Sequence, residues 1–311
     1  MSTTVVTGAG PVGWTVATQL AEAGQSVRLL TRSGSGPDHP LITRQRVDVS
    51  DPTAVTSAFA GATAVFHCVH ASYTAAAWRE ALPSTEQIVL DAAGTVGAVV
   101  VFPESLYAYG RVAGPITERT PRSAATGKLG IRAELIASRL SHPTPTVSVM
   151  ASDFFGPQVI TAHAGERLVP ALLQGRRVWV MGSADQPHSF TFVPDYARAM
   201  IIAASDRTLW NSVVHAPTAP PVTQRQLAEL ITDLGGAPRP KLGVIPAWAL
   251  HLTGLVNTDA RELAETAYQF SAPYVLDSTD GQRQLGFSPT PLREAVASTV
   301  AWWQARATLT V

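Results

Sequence analysis

Gly8, Gly10 and Gly13 stand close to the N-terminus in the order Thr7-Gly8-Ala9-Gly10-Pro11-Val12-Gly13. This spacing suits a chain that brings a diphosphate against its own backbone. The first glycine permits a tight turn, the second lets backbone approach a pyrophosphate, and the third lets a helix pack closely on a strand. Pro11 and Val12 open that helix, whose free N–H groups and dipole favour an anion. The implied chemistry is dinucleotide binding.

The residues Leu30-Thr31-Arg32-Ser33 select the cofactor. A site for NAD usually places a carboxylate there to hold the ribose 2′-hydroxyl, whereas a 2′-phosphate needs a cation. No acid follows until Asp38, while Arg32 pairs well with a phosphate, helped by the Thr31 and Ser33 hydroxyls. NADP is therefore the expected cofactor and NAD the alternative. Asp48 and Val49 place a carboxylate near the adenine amino group. His67 and Cys68 should line the crevice in which open α/β sheets bind ligands.

Alternating elements must position these residues. Short β-branched runs at Thr3–Thr7, Ser26–Thr31, Arg46–Val49, Ala62–Val69, Ala98–Phe102 and Thr146–Met150 read as strands. Between them lie helical patterns, such as Pro11–Ala23 with apolar Val12, Val16 and Leu20, and a helix opened by Asp51-Pro52. Runs apolar on both faces suit parallel strands covered by helices on each side. The fold class expected is α/β, a Rossmann doubly wound parallel sheet with a smaller C-terminal substrate domain. Residues 1–152 with about 190–218 would form the first domain, and about 153–189 with 219–311 the second, because Pro and Gly become frequent after Met150.

Composition narrows the partners. Lys+Arg and Asp+Glu both total 23, so no basic surface awaits nucleic acid or an anionic membrane. The lone Cys68 fits a reducing cytoplasm, and Met1 leads straight into a strand with no secretion signal, so a cytoplasmic protein is expected. A small-molecule substrate is the expected partner. His67 and His70, three residues apart on a strand, would face opposite sides, and no metal site is expected. Neither a Gly-x-Ser-x-Gly elbow nor a Gly-x-x-x-x-Gly-Lys-Ser/Thr loop occurs.

Further pieces run in a telling order: Tyr109-Gly110, Glu118-x-Thr120-Pro121, Phe155-Gly156-Pro157, Phe192-Val193-Pro194-Asp195, Leu285-Gly286-Phe287-x-Pro289-Thr290 and Trp302. With the glycine loop and Asp48-Val49, they make nearly the whole chain resemble the extended short-chain dehydrogenase/reductases, the epimerases and dehydratases, in an atypical branch. The resemblance implies three catalytic groups. A Ser or Thr after the fifth strand bonds the substrate oxygen. A Tyr moves the proton, and a Lys four residues later lowers its pKa and holds the ribose. The resemblance also implies a homodimer paired through the helix around Ile131–Leu140.

Counted along the family pattern, Ser105 takes the serine position, Thr126 the tyrosine and Gly130 the lysine. A threonine hydroxyl is far too weak an acid to replace a phenol. Lys128, two residues from Gly130, is expected to point away, about 200° around a helix. Tyr107 is the preferred relocated donor, provided an extended segment lets it and Ser105 face the nicotinamide site together. Tyr73 is a second candidate. At the place of a diphosphate-gripping Arg stands His188, and Asp153 replaces a customary Asn. Both argue against a nucleotide sugar and for a smaller or more apolar substrate, with His188 and Asp153 available as an acid/base pair. Phe154, Trp179 and Trp248 are expected pocket walls. Three functions remain open: an NADP-dependent oxidoreductase with a moved donor, a non-redox isomerase, cyclase or lyase, and a cofactor-sensing regulator.

Overall fold

The computed structural model describes residues 3–308. Its strands are β1 (Thr3–Thr7), β2 (Val27–Thr31), β3 (Ile42–Arg46), β4 (Ala62–His67), β5 (Val99–Ser105), β6 (Thr146–Ala151), β7 (Asp153–Phe155), β8 (Arg177–Met181), β9 (Phe190–Phe192), β10 (Ser212–His215) and β11 (Lys241–Ile245). Its helices are α1 (Pro11–Glu22), α2 (Pro52–Ala58), α3 (Ala75–Val96), α4 (Gly127–Ser141), α5 (Val169–Leu173), α6 (Val193–Ser205), α7 (Gln224–Gly235), α8 (Ala247–Thr253), α9 (Thr258–Thr266), α10 (Tyr268–Ser271), α11 (Thr279–Leu285) and α12 (Leu292–Thr308).

Seven strands form one sheet in the order β10-β6-β5-β4-β1-β2-β3, and every neighbouring pair is parallel. Helices cover both faces, giving a Rossmann-like α/β fold. The reason lies in the period of two along each strand. Val6, Leu29, Phe66, Val101 and Val149 look to the face covered by α1 and α6. Val5, Leu30, Val65, Val100 and Phe102 look to the face covered by α2 and α3. Each such buried side chain contributes about 1.5–3 kcal/mol. The order reverses between β1 and β4, so the carboxyl ends Thr7 and His67 border the crevice at the switch point.

A second core joins Phe155, Val169, Leu172, Val178, Val180, Leu227, Ile231, Val296 and Trp303. Two short parallel pairs, β7 with β9 and β8 with β11, frame it. Leu285 and Phe287, near the C-terminal end, pack instead into the core of the seven-stranded sheet.

Two expected strands end early. β3 stops at Arg46 rather than Val49, because Asp48 folds back onto Ser50 and Asp51 caps α2 by accepting from the Thr53 and Ala54 N–H groups. β4 stops at His67 rather than Val69, where the carbonyl of Cys68 closes over Gly8. Among the described residues no helix is long and apolar enough to cross a membrane.

Candidate active site

The loop between β1 and α1 is built around its glycines. Gly8 has φ +87°, and a Cβ there would meet the Cys68 carbonyl oxygen at 2.7 Å. A Cβ on Gly13 would stand 2.1 Å from the Gly8 oxygen. Gly10 differs: a Cβ there would meet nothing within 4 Å. The space above Gly10 is open, and it is bordered by the first turn of α1, where N–H groups have no intrahelical partner. A dinucleotide's pyrophosphate fits this arrangement.

At the end of β2, Arg32 is exposed, and its charge reaches Asp48. Thr31 donates to the Ser35 carbonyl at 3.1 Å, and Ser33 bonds the Ser35 hydroxyl at 2.7 Å. Asp38 is drawn off to Arg44 at 3.4 Å, so no carboxylate stands at the end of β2. Asp48 accepts from Ser50 N and Oγ at 3.0 and 2.8 Å, which, with Arg32, holds its pKa below the usual range. Val49 is buried behind it.

A cavity of about 320 Å³ opens at the carboxyl ends of β1, β4, β5 and β6. Gly10, Pro11, Val12, His67, Cys68, Tyr73, Ser105, Tyr107, Asp153 and Phe154, ten residues singled out in the sequence, share its wall. His67 Nδ1 bonds the Thr7 hydroxyl at 2.8 Å, and burial pushes its pKa down to about 3. Burial raises the Cys68 thiol to about 12, so it stays protonated.

Ser105 ends β5, and Leu106–Tyr109 then coil into a 3-10 turn rather than the extended segment expected. The turn still brings Ser105 and Tyr107 to one wall. Tyr107 stacks on Trp78 with ring centroids 6.2 Å apart, and its hydroxyl lies 2.7 Å from that of Tyr73. Burial above all, and then Tyr73, push the Tyr107 pKa well above 10, so the phenol keeps its proton.

Asp153 begins β7, and its Oδ2 lies 2.7 Å from His188 Nε2. His188 is a correction to the sequence reading: it stands behind Asp153, with the cavity wall formed by the carboxylate. Its Nδ1 lies 3.0 Å from the Gln269 carbonyl, which only accepts, so that nitrogen carries a proton. Burial alone would raise the Asp153 pKa, but the hydrogen bond and charge of His188 outweigh it and hold the pKa low. Trp248 is also a correction: it is 65% exposed and is not part of the cavity wall. Trp179, 62% exposed, borders a separate cavity of about 120 Å³, and of the three aromatics Phe154 meets the cavity at the sheet's carboxyl edge.

The floor carries charges that the sequence reading missed. Arg139 of α4 donates to both Glu86 oxygens, at 2.7 and 2.5 Å, and to Glu104 at 2.9 Å. Arg132, about two turns earlier on the same helix face, donates to His70 Nε2 at 2.6 Å and lies over the Trp78 ring at 4.5 Å. Their signal was present: two arginines seven residues apart among Ile131, Leu135 and Ile136, opposite Glu86 on α3. Among the described residues no group of three or more metal-ligating side chains is placed to hold a metal ion.

A sequence model of the NAD dependent epimerase/dehydratase family matches residues 4–211. The chain belongs to this family. It is 25% identical over 190 residues to a dTDP-glucose 4,6-dehydratase of Streptomyces griseus, covering 61% of this chain and 51% of that one. The match thus spans about half the length of that curated relative. The fold is shared with UDP-glucose 4-epimerase from Thermotoga maritima, solved with UDP-glucose (TM-score 0.77, 20% identity, 98% and 99% of the two chains). It is shared equally with the Bordetella bronchiseptica enzyme WbmH, solved with NAD+ (TM-score 0.77, 19% identity, 98% of each chain).

The helix α4, on which the sequence reading placed Gly130 with Thr126 just before it, contains no tyrosine. Thr126 is its exposed N-cap, and a Cβ on Gly130 would press into the Ala125 backbone at 2.5 Å. Neither position meets the cavity; Arg132 and Arg139 do. Lys128 lies four residues before Arg132, hence on the same side of the helix rather than the far side expected. It is nevertheless kept from the cavity. Its ammonium is fully buried between Glu262 at 2.5 Å and Glu265 at 2.8 Å, 4.5 Å above the Tyr73 ring.

Proposed function

We propose that the protein is an NADP-dependent oxidoreductase-like enzyme acting on a small substrate that is not a nucleotide sugar, with Tyr107 as the relocated phenol. The observation that carries this reading is the 2.7 Å bond between Tyr107 and Tyr73 in the wall that also holds Ser105 and the Gly10 loop. A nicotinamide dinucleotide, when bound, supplies hydride exchange at a carbon bearing a hydroxyl or carbonyl. Gly10, Val12 and Gly13 would hold its diphosphate, and Arg32 with Thr31 its 2′-phosphate. Ser105 and Tyr107 bind the substrate oxygen. Tyr107 holds a proton at its Oη, and Tyr73, 39% exposed, links that proton to solvent. The small substrate is supported by the cavity's size and by His188, which backs Asp153 where a diphosphate would need a free cation.

A second reading, a non-redox isomerase, cyclase or lyase, draws on one specific observation. The pKa of Tyr107 is raised rather than lowered, and the buried Asp153–His188 pair offers another proton-transfer group beside it.

Titration of the protein with NADPH, NADH and their oxidised forms, followed by a carbonyl panel monitored at the nicotinamide absorbance, tests the first reading. Binding of NADPH with oxidation by at least one carbonyl compound is expected. Substrate conversion without any absorbance change would favour the second reading, and no binding of any form would remove the first.

A further inference from the structure

Three residues that line the cavity each carry a buried polar atom with no hydrogen-bond partner among the described residues: Arg132 at Nε, Trp78 at Nε1 and Ser152 at Oγ. These residues are only 7%, 1% and 8% exposed. Leaving such atoms unpaired is costly, and the first two are pure donors, so together they require an acceptor.

The other contacts of Arg132 sharpen that requirement. His70 Nδ1 lies 2.6 Å from the Ala71 carbonyl, so that nitrogen carries the proton, and Nε2 accepts from Arg132 as a neutral imidazole. Glu104 is 3.5 Å from Arg132 but 2.9 Å from Arg139, and Arg139 also grips Glu86 through two bonds. Glu86 and the shorter bond of Glu104 are thus committed to Arg139, and Asp153 to His188. Arg132 is left with a neutral imidazole as its close partner and a Glu104 shared with Arg139 at 3.5 Å, so its unpartnered Nε edge can still take an anionic ligand.

The rest of the wall defines that ligand. Val69, Leu82, Phe102, Leu106 and Phe154 make it apolar, and Glu104 and Asp153 would oppose a second negative charge. We propose that Arg132, together with the indole N–H of Trp78, binds the carboxylate of a small, largely apolar monocarboxylic acid, with the Ser152 hydroxyl as a further polar contact. This names the substrate class of the enzyme and rests on reading the cavity as its substrate site. A carboxylate matches a guanidinium edge with two parallel bonds, and Trp78, already stacked beneath Arg132, adds its N–H on the same wall.

Calorimetric titration with benzoate, benzamide and phenyl phosphate, with and without saturating NADP, tests the site without requiring turnover. Benzoate should bind at least about 10-fold more tightly than its neutral amide, as expected for charge-assisted bonds, and phenyl phosphate no more tightly than benzoate. Arg132→Gln should erase that preference while leaving NADP affinity unchanged. Trp78→Phe removes the indole N–H together with part of the fully buried bicycle, so it should weaken benzoate binding and also lower the melting temperature, which leaves Arg132→Gln as the deciding variant. The proposal is overturned if benzoate does not bind, if benzamide or phenyl phosphate binds as tightly or more so, or if Arg132→Gln weakens NADP as much as benzoate. Should benzoate discrimination persist in a protein that binds no dinucleotide, the enzyme reading falls and the carboxylate site stands.

Discussion

The phenol oxygens of Tyr73 and Tyr107 meet at 2.7 Å, although one residue follows β4 and the other follows β5. Tyr107 is enclosed against Trp78, while Tyr73 reaches solvent. The pair therefore connects the cavity to bulk water through a single hydrogen bond. On the proposed reading, a proton given up at Tyr107 can be replaced by way of Tyr73.

Removing either hydroxyl should separate the two roles. Tyr107→Phe is expected to lower kcat by roughly 10²–10⁴-fold, the usual worth of a positioned acid, with NADPH affinity intact. Tyr73→Phe should cost less, because water can take its place in the relay. Steady-state kinetics on an accepted carbonyl compound decide this. Equal turnover by Tyr107→Phe would remove the tyrosine from the mechanism.

Gly10 and Gly13 should respond differently to the same added methyl group. Gly10→Ala enters open space, so the melting temperature should hold while dinucleotide affinity falls by about 10-fold or more, since the backbone can no longer approach the diphosphate. Gly13→Ala drives a Cβ into the Gly8 carbonyl and should lower both. Melting curves with and without NADPH read both effects, and undiminished affinity in Gly10→Ala would mean that no phosphate lies over this glycine.

Arg32→Ala should weaken NADPH by about 10–100-fold, the range of a lost charge-assisted phosphate contact, and leave NADH unchanged. Equal binding of the two cofactors by the parent protein would refute the NADP preference at once.

Two buried histidines set an acid limit on stability. Burial above all holds His67 at a pKa of about 3 and His215 at about 4, while each titrates near 6.5 once unfolded. Between those values the unfolded chain binds protons that the folded chain refuses. Stability must therefore rise with pH across that window and be lost as pH falls from 6.5 towards 4, by up to about 1.4 kcal/mol per pH unit for each histidine. Urea midpoints at pH 7 and pH 5 give the slope, and a midpoint that did not fall would show that these groups are protonated in the fold. His215 is held by Tyr109 at 2.7 Å on Nε2 and the Asp277 carbonyl at 2.9 Å on Nδ1.

Glu86 is worth testing because two of the three close bonds from Arg139 to carboxylates end on it. Glu86→Ala leaves a buried guanidinium half paired and should destabilise the protein by about 3–5 kcal/mol. Chemical denaturation measures it. A loss under about 1 kcal/mol would indicate that water or Glu104 compensates.

Much of this protein is legible along the chain because the interactions responsible are local. The period of two in Val5-Val6, Leu29-Leu30 and Val65-Phe66 dictates strands buried on both faces, and Gly8-x-Gly10-x-x-Gly13 dictates the turn into α1. The sequence by itself determined the parallel α/β sheet, the glycine loop that enters α1 and the place of Ser105 and Tyr107 at the end of the fifth strand. The face of α4 that meets the cavity was decided only by tertiary packing. Counting from Glu134 pointed to Thr126 and Gly130, but the packed helix presents Arg132 and Arg139 to the cavity instead. Nothing local distinguishes Lys128, sealed by two glutamates of α9, from Arg132, left without a close carboxylate, because their partners lie on elements distant in sequence. Charge at a buried site is settled by what the fold brings against it, and the chain's order does not record that.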